Sequence, residues 1–211
     1  MKKTVKGVEK GEKACYNRGR SDAPNFDGEA HTKGNFMEFQ KLAAERYSVR
    51  KFKPAHLPKK TLDKILQIGH MAPTGCNYQP YRVLVINTDE SCARLASCTK
   101  CHFDAPTALL VCYHKEECWH RRYDGAESGP VDAAIVGTHL MLAAADLGVG
   151  CTWVMHFDPA AMRAAFAIPE QIEPVALLVM GIPDNGVEPF HLHGEFRPLS
   201  EVVLYDSFSA D

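Results

Sequence analysis

The sequence predicts one globular domain in which helices and strands are mixed, and three observations carry that prediction. Segments with apolar residues at helical spacing alternate along the chain with short runs rich in β-branched residues. The 211 residues are 45% hydrophobic, enough for one real core. The longest helical segment, 131–147, is apolar nearly all round and is therefore expected at the centre.

Residues 1–35 stand outside this pattern. They are rich in Lys, Glu, Gly, Asp and Asn without apolar periodicity, and are expected to form a flexible tail, leaving 36–211 as the folded domain. Residues 35–38 have the form of a capping box, with Asn35 at the cap. Phe36, Phe39, Leu42 and Ala43 then recur at helical spacing up to Arg46, and Pro54 ends any continuation. Pro58 suits a first helical turn, and Leu62, Ile65, Leu66 and Gly69 make one face of a second helix. Gly and Pro mark 74–80 as a loop before a strand over 81–87. A short helix over 89–97 and a buried strand over 107–113 follow, then a polar excursion, 114–129, containing Trp119 and Tyr123. Helix 131–147 stops at Gly148, and a third strand covers 150–155. Asp158-Pro159 is an N-cap with proline at the first helical position, opening a helix through Phe166. A fourth strand covers 174–182. The last apolar run, 202–205, is isolated and is expected to be a strand that pairs elsewhere, a second subunit included.

Bulk properties exclude several classes. A net charge of −2 and a pI near 6.5 give no reason to expect nucleic acid or an anionic membrane as partner. No apolar run approaches the ~18 residues of a membrane span, and no apolar h-region follows the basic start. Eight cysteines without such a signal are expected to be reduced thiols in the cytoplasm.

The richest candidate for chemistry is the segment 46–52. On an extended backbone Arg46, Ser48 and Arg50 share one face. Two guanidinium forks flanking a hydroxyl suit a phosphate monoester, which carries about −1.5 to −2 charge. The same residues also read as a solvated basic turn. Asn77 and Gln79 flank Tyr78 so that alternation aims both amides one way. They match the mixed edge of a heterocycle, or else tie down the loop backbone. Cys98-Thr99-Lys100-Cys101-His102 has the letters of a haem attachment site, while a zinc site there lacks a second closely spaced pair. Incidental thiols near a helix end also account for it. His191-Leu192-His193 reads as a polar turn. No G-x-S-x-G, H-E-x-x-H or P-loop is present. Gly148-Val149-Gly150 follows a helix and precedes a strand, the reverse of a dinucleotide fingerprint.

Five stretches, in order, resemble the FMN-dependent nitroreductase family. Segment 46–52 resembles its R-x-S-x-R/K-x-F phosphate segment, and 72–81 its A-P-S-x-x-N-x-Q-P-W loop. Residues 144–153 resemble the A-A-x-x-L-G-L-G-x-x-W joint, 173–181 the E-P-V-A-L-L-x-x-G strand, and 197–201 the terminal R/K-P-L-x-E. The resemblance implies an α+β, nitroreductase-like three-layer fold: a small mixed sheet wrapped by helices, built as an intertwined homodimer with an exchanged C-terminal strand. It implies FMN as cofactor and NAD(P)H as co-substrate.

Carried over residue by residue, the resemblance gives Arg46, Ser48 and Arg50 to the FMN phosphate and the pyrimidine side of the flavin, with Tyr47 acting through its backbone. It gives Pro73, Thr74, Gly75 and Asn77 to contacts with the partner's flavin, with Gln79 just behind them. Met155 and His156 stand where the family approaches the flavin N5 through backbone groups. Arg197 is a further phosphate candidate, but it directly precedes Pro198, whereas the family's usual arginine lies one position earlier, at Phe196 here. No side-chain acid, base or nucleophile is then needed, because the cofactor carries the chemistry. The implied activity is ping-pong transfer of hydride from NAD(P)H to a nitroaromatic, a quinone or a related small-molecule acceptor. The alternatives are a flavin-binding protein without turnover, suggested by His156 and Glu195, and a Cys/His metal or haem electron carrier at 98–102.

Overall fold

β-Branched and aliphatic runs form strands because their side chains pack well on a pleated surface. In the computed structural model, which describes residues 38–208, four such runs make one sheet. They are β1 (Tyr81–Ile86), β2 (Thr107–His114), β3 (Gly150–Val154) and β4 (Ile172–Gly181), in the order β1-β2-β4-β3. All three pairings are antiparallel. The parallel component of the expected mixed sheet is a single bridge, Ser48 with Cys151.

Among the described residues, six helices surround the sheet: α1 (Phe39–Glu45), α2 (Lys59–His70), α3 (Asp89–Ala96), α4 (Gly129–Asp146), α5 (Pro159–Phe166) and the single turn α6 (Leu199–Val202). The central strands β2 and β4 are buried on both faces, so the two-residue period sorts their side chains into two cores. Leu109, Val111, Leu178 and Met180 pack with Ile65 of α2 and Val136 and Leu140 of α4. Leu110, Cys112, Leu177 and Val179 pack with Leu95 of α3 and Met162 of α5. This is the three-layer α+β arrangement that the resemblance implied.

Helix α4 carries the site and packs closely. A Cβ on Gly69 of α2 would lie 2.4 Å from Leu140, and one on Gly137 would lie 2.5 Å from the Trp153 ring. Both positions therefore need glycine for helix-to-helix and helix-to-sheet contact. The helix ends where expected, before Gly148, whose φ of +72° suits only glycine well. Burial all round is met on one face only: Ala133, Val136, Gly137 and Leu140 are inside, while Val131 is 60% exposed and Ile135, Leu142 and Ala145 are half-buried.

Several boundaries differ from expectation. The cap at Asn35, the apolar Phe36 and the tail 1–35 lie outside the described residues; α1 starts after Glu38 with no side-chain cap. Pro58 occupies the N-cap of α2, one position before its first turn. The excursion after β2 forms a 3-10 turn (Lys115–Glu117) and then a tight hairpin, closed by a bridge of His120 with Glu127 and by the Arg121–Asp124 ion pair. Residues 202–205, expected to be a strand that pairs elsewhere, form none with the described residues: Val202 ends the turn α6, and 203–205 pair with no strand there. A solitary strand has no neighbour to satisfy its N–H and C=O groups, so a single chain leaves it open.

Candidate functional site

After α1 the chain turns extended at Arg46 (φ −61°, ψ 128°) and runs along the edge of β3. The Val49 N–H donates to the Cys151 carbonyl at 3.3 Å, and the Thr152 hydroxyl donates back to the Val49 carbonyl. Farther on, Lys53 N–H donates to Ile182 O at 2.9 Å and Asp184 N–H to Lys51 O at 3.1 Å. Val49 is 2% exposed and points inward, against Gly150, where a Cβ would come within 2.8 Å of it. Ser48 and Arg50 line the same clefts, whereas Arg46, expected on one face with them, lines a separate cleft.

The two guanidinium groups have poor partners. Arg46 Nη1 reaches the thioether of Met141 at 3.8 Å, a weak acceptor. Arg50 Nη1 donates to the Ser48 carbonyl at 3.3 Å, and its guanidinium carbon lies 5.9 Å from both the Phe103 and the Phe190 ring centres. Among the described residues, none of the ion pairs involves Arg46 or Arg50. Burial pushes the neighbouring Cys151 thiol up to about 12, against the opposing pull of the Arg46 charge. Two adjoining clefts share Ser48, Arg50 and Phe190; Lys51 lines one of them and Tyr47 the other. A third, more apolar cleft lies beside Arg46, between Leu42, Met141 and Cys151. The Tyr47 side chain is tied by its hydroxyl, which donates to Val187 O at 3.0 Å.

The loop after α2 is a second cluster. Cys76, Asn77 and Gln79 all have left-handed backbone, with φ of 47°, 58° and 52°. Gln79 N–H donates to the Thr74 hydroxyl at 3.0 Å, and the Gln79 amide donates to Asn77 Oδ1 at 3.0 Å. The two amides thus brace each other, brought together by turn and left-handed backbone and not by the extended alternation expected of them. Gly75 N–H donates to Asp132 Oδ1 at 2.8 Å. Pro73, Asn77 and Gln79 are exposed; Thr74 and Gly75 are half-buried.

The two clusters sit at opposite ends of α4. Asp132 anchors the loop in the first turn, whereas Met141 meets Arg46 nine residues on, a rise of about 14 Å. No residue of 73–79 lines the clefts around Arg46, Ser48 and Arg50.

Met155 and His156 follow β3 directly and are exposed, Met155 at 67%. The Thr99 hydroxyl donates to the His156 carbonyl, and Asp158 N–H donates to Cys98 O at 2.9 Å. The stretch that resembled a haem site therefore buttresses this turn. The Cys98 thiol donates to Arg94 O at 3.4 Å, and no group of three or more His, Cys, Asp or Glu suited to a metal occurs among the described residues. Arg197 is exposed, between the 3-10 turn His191–Gly194 and α6, and lines none of the three clefts. Sequence reasoning missed Asp132 and Thr152, which are 2% and 4% exposed. A polar residue inside an otherwise apolar run was the available signal.

The sequence pattern of the nitroreductase family matches residues 43–105 and 94–182. The chain belongs to the nitroreductase family. Four of the five resembling stretches lie within that match, and 197–201 lies beyond it. Among solved nitroreductase-family structures, a protein from Clostridium difficile 630 is 37% identical, covering 81% of this chain and 99% of its own, with a TM-score of 0.76. A Desulfovibrio desulfuricans protein of the nitroreductase type, solved in complex with FMN, is 27% identical, covering 81% and 97%, with a TM-score of 0.66. An NADH dehydrogenase of Thermus thermophilus is 24% identical over 201 residues, 80% of this chain and 96% of its own. No helix among the described residues is long and apolar enough to cross a membrane.

Proposed function

We propose that this nitroreductase-family protein is an FMN-dependent, cytoplasmic oxidoreductase that takes hydride from NAD(P)H and passes it to a nitroaromatic, a quinone or a related small acceptor. The observation that carries the reading is the pair of guanidinium groups, Arg46 and Arg50, on either side of Ser48 in the chain, neither of which pairs with a carboxylate among the described residues. A half-buried guanidinium held, among the described residues, by a thioether is an expensive arrangement unless an anion completes it. The residues present fit the cofactor: a hydroxyl and two forks suit its phosphate, and the exposed amides of Asn77 and Gln79 suit its heterocycle. The family relationship and the FMN complex of the D. desulfuricans relative support the same reading.

Arg46, Ser48 and Arg50 bind the phosphate and the pyrimidine edge, where their charge offsets the negative charge gained on reduction. Tyr47 contributes its backbone. Met155 and His156 would offer backbone groups just beyond the end of β3, where the Thr99 hydroxyl holds the His156 carbonyl. Arg197 is a further phosphate ligand only once the C-terminal segment has moved onto a partner. FMN, when bound, supplies the hydride acceptor and donor, and the protein supplies orientation and charge. Successive use of one binding face by NAD(P)H and acceptor gives ping-pong kinetics.

Completion of the site calls for a homodimer. A two-fold axis that sets two α4 helices antiparallel brings Pro73, Thr74, Gly75, Asn77 and Gln79 of one chain to the Arg46–Ser48–Arg50 face of the other. The half-open apolar face of α4 supports that packing. Leu199, Val202, Leu204 and Tyr205 are exposed, and so are Leu84 and Val85 of the edge strand β1; exchange of the C-terminal segments would cover them. The purified protein is expected to carry, or take up, flavin with its visible absorbance. It should then oxidise NAD(P)H when a quinone is supplied, with parallel double-reciprocal plots. Protein that binds no added FMN overturns the reading.

A further inference from the structure

We propose that Asp132 is a positioning residue that holds the loop 73–79 in its left-handed conformation and ties it to the hairpin after β2. Asp132 lies in the first turn of α4 and is 2% exposed. Both of its carboxylate oxygens are used. Oδ1 accepts from Gly75 N–H at 2.8 Å, and Oδ2 accepts from the Ser128 hydroxyl at 2.7 Å. Ser128 Oγ in turn accepts from Trp119 N–H at 3.2 Å. One buried side chain thus links the end of α2, the start of α4 and the base of the hairpin.

The contact is close as well as polar. A Cβ on Gly75 would lie 3.1 Å from Ser128 Cβ and Oγ and 3.4 Å from Trp119 Cβ, so the loop backbone rests directly on the hairpin base. Immediately after Gly75 the chain holds positive φ at Cys76, Asn77 and Gln79. Such backbone costs of order 1–3 kcal/mol per non-glycine residue and persists only when its surroundings fix it. Asn77 tolerates this region by its residue type, and Gln79 is held within the loop by its bonds to Thr74 and Asn77. The bond from Gly75 N–H to Asp132 ties that locally braced loop to α4. Without it, Asn77 and Gln79 are presented in many directions instead of one.

The role in cofactor binding rests on the reading of 73–79 as a flavin-facing loop; the role in holding the loop does not. Two measurements separate them. Amide exchange by NMR on the wild-type, flavin-free protein should show Gly75 N–H protected together with the first turn of α4. Exchange at the rate of an unstructured amide overturns the proposal, whatever the protein binds. Asp132→Ala, folded by circular dichroism, should speed exchange across 73–79 and weaken FMN binding by at least about tenfold in a fluorescence titration. Asp132→Asn keeps an acceptor for Gly75 N–H and should bind FMN within about threefold of wild type. Ser128→Ala should loosen the 119–128 amides and leave FMN affinity near that of the wild type. Wild-type affinity in Asp132→Ala, or equal losses in the Asn and Ala variants, overturns the proposal. A wild-type protein that binds no FMN sinks the flavin reading alone, and Gly75 protection then still decides the anchor.

Discussion

The hydroxyl of Thr152 donates to the carbonyl of Val49, 103 positions earlier in the chain. Together with the Val49 N–H to Cys151 O bond it fixes the segment 46–52 to β3 by both of Val49's backbone groups. Thr152 is 4% exposed, so its loss leaves a buried carbonyl without a partner. Thr152→Val, nearly the same in shape, should therefore cost about 1–3 kcal/mol in denaturant unfolding. It should also weaken FMN retention, because Ser48 and Arg50 flank the residue that is released. A variant as stable as the wild type would show that the segment is held by packing alone.

Arg46 and Arg50 are predicted to contribute separately to flavin binding. Each replaces weak contacts, a thioether and one long carbonyl bond, by charge-assisted bonds to an anion. At about 1.5–3 kcal/mol per charged hydrogen bond, Arg46→Ala or Arg50→Ala should raise the FMN dissociation constant roughly 10- to 100-fold. Arg46→Ala should purify colourless. Fluorescence titration with FMN and with riboflavin checks the assignment: riboflavin lacks the phosphate, and its affinity should change much less.

His56 makes stability depend on pH far from the site. Its Nε2 lies 2.9 Å from Asp89 Oδ1, and its Nδ1 meets the Pro106 carbonyl. The Asp89 hydrogen bond, then the Pro106 carbonyl, raise its pKa above the ordinary 6.5. The stabilisation is fully present below the unfolded value and is lost as pH rises through the raised folded value. The melting temperature should fall slightly as pH rises above the ordinary value of 6.5, and His56→Gln should flatten that slope.

Much of this was legible because local chemistry and global packing agree. Asp158-Pro159 caps α5 as its letters indicate, the Asp158 carboxylate accepting from Ala160 and Ala161 N–H. Period-2 alternation put Ser48 and Arg50 on one face, as the clefts they share agree, but not Arg46, which lies next to the end of α1. The strand at 202–205 was not legible as such, since strand pairing belongs to two segments and only one lies in this part of the chain. Helix 131–147 shows the same limit: its apolar letters describe burial that a single copy only half provides. Asp132 went unnoticed because its one local signal, an acid within an apolar run, is also what a dipole partner in a first helical turn looks like. Its bond to Gly75 spans 57 positions.

The 14 Å that α4 puts between Met141 and Asp132 has a genetic consequence. If each flavin face joins residues 46–50 of one chain to residues 73–79 of the other, defects in the two clusters should complement. Mix an Arg46→Ala chain with an Asn77→Ala chain, each inactive alone. In every mixed dimer one site collects both lesions and the other collects neither. Random reassortment makes half the dimers mixed, so about a quarter of the wild-type activity should return. Two lesions on one chain, mixed with wild type, instead spoil one position in each site of every mixed dimer. Reassortment should then lower the activity from about a half to about the quarter contributed by wild-type pairs, a loss where the other mix shows a gain.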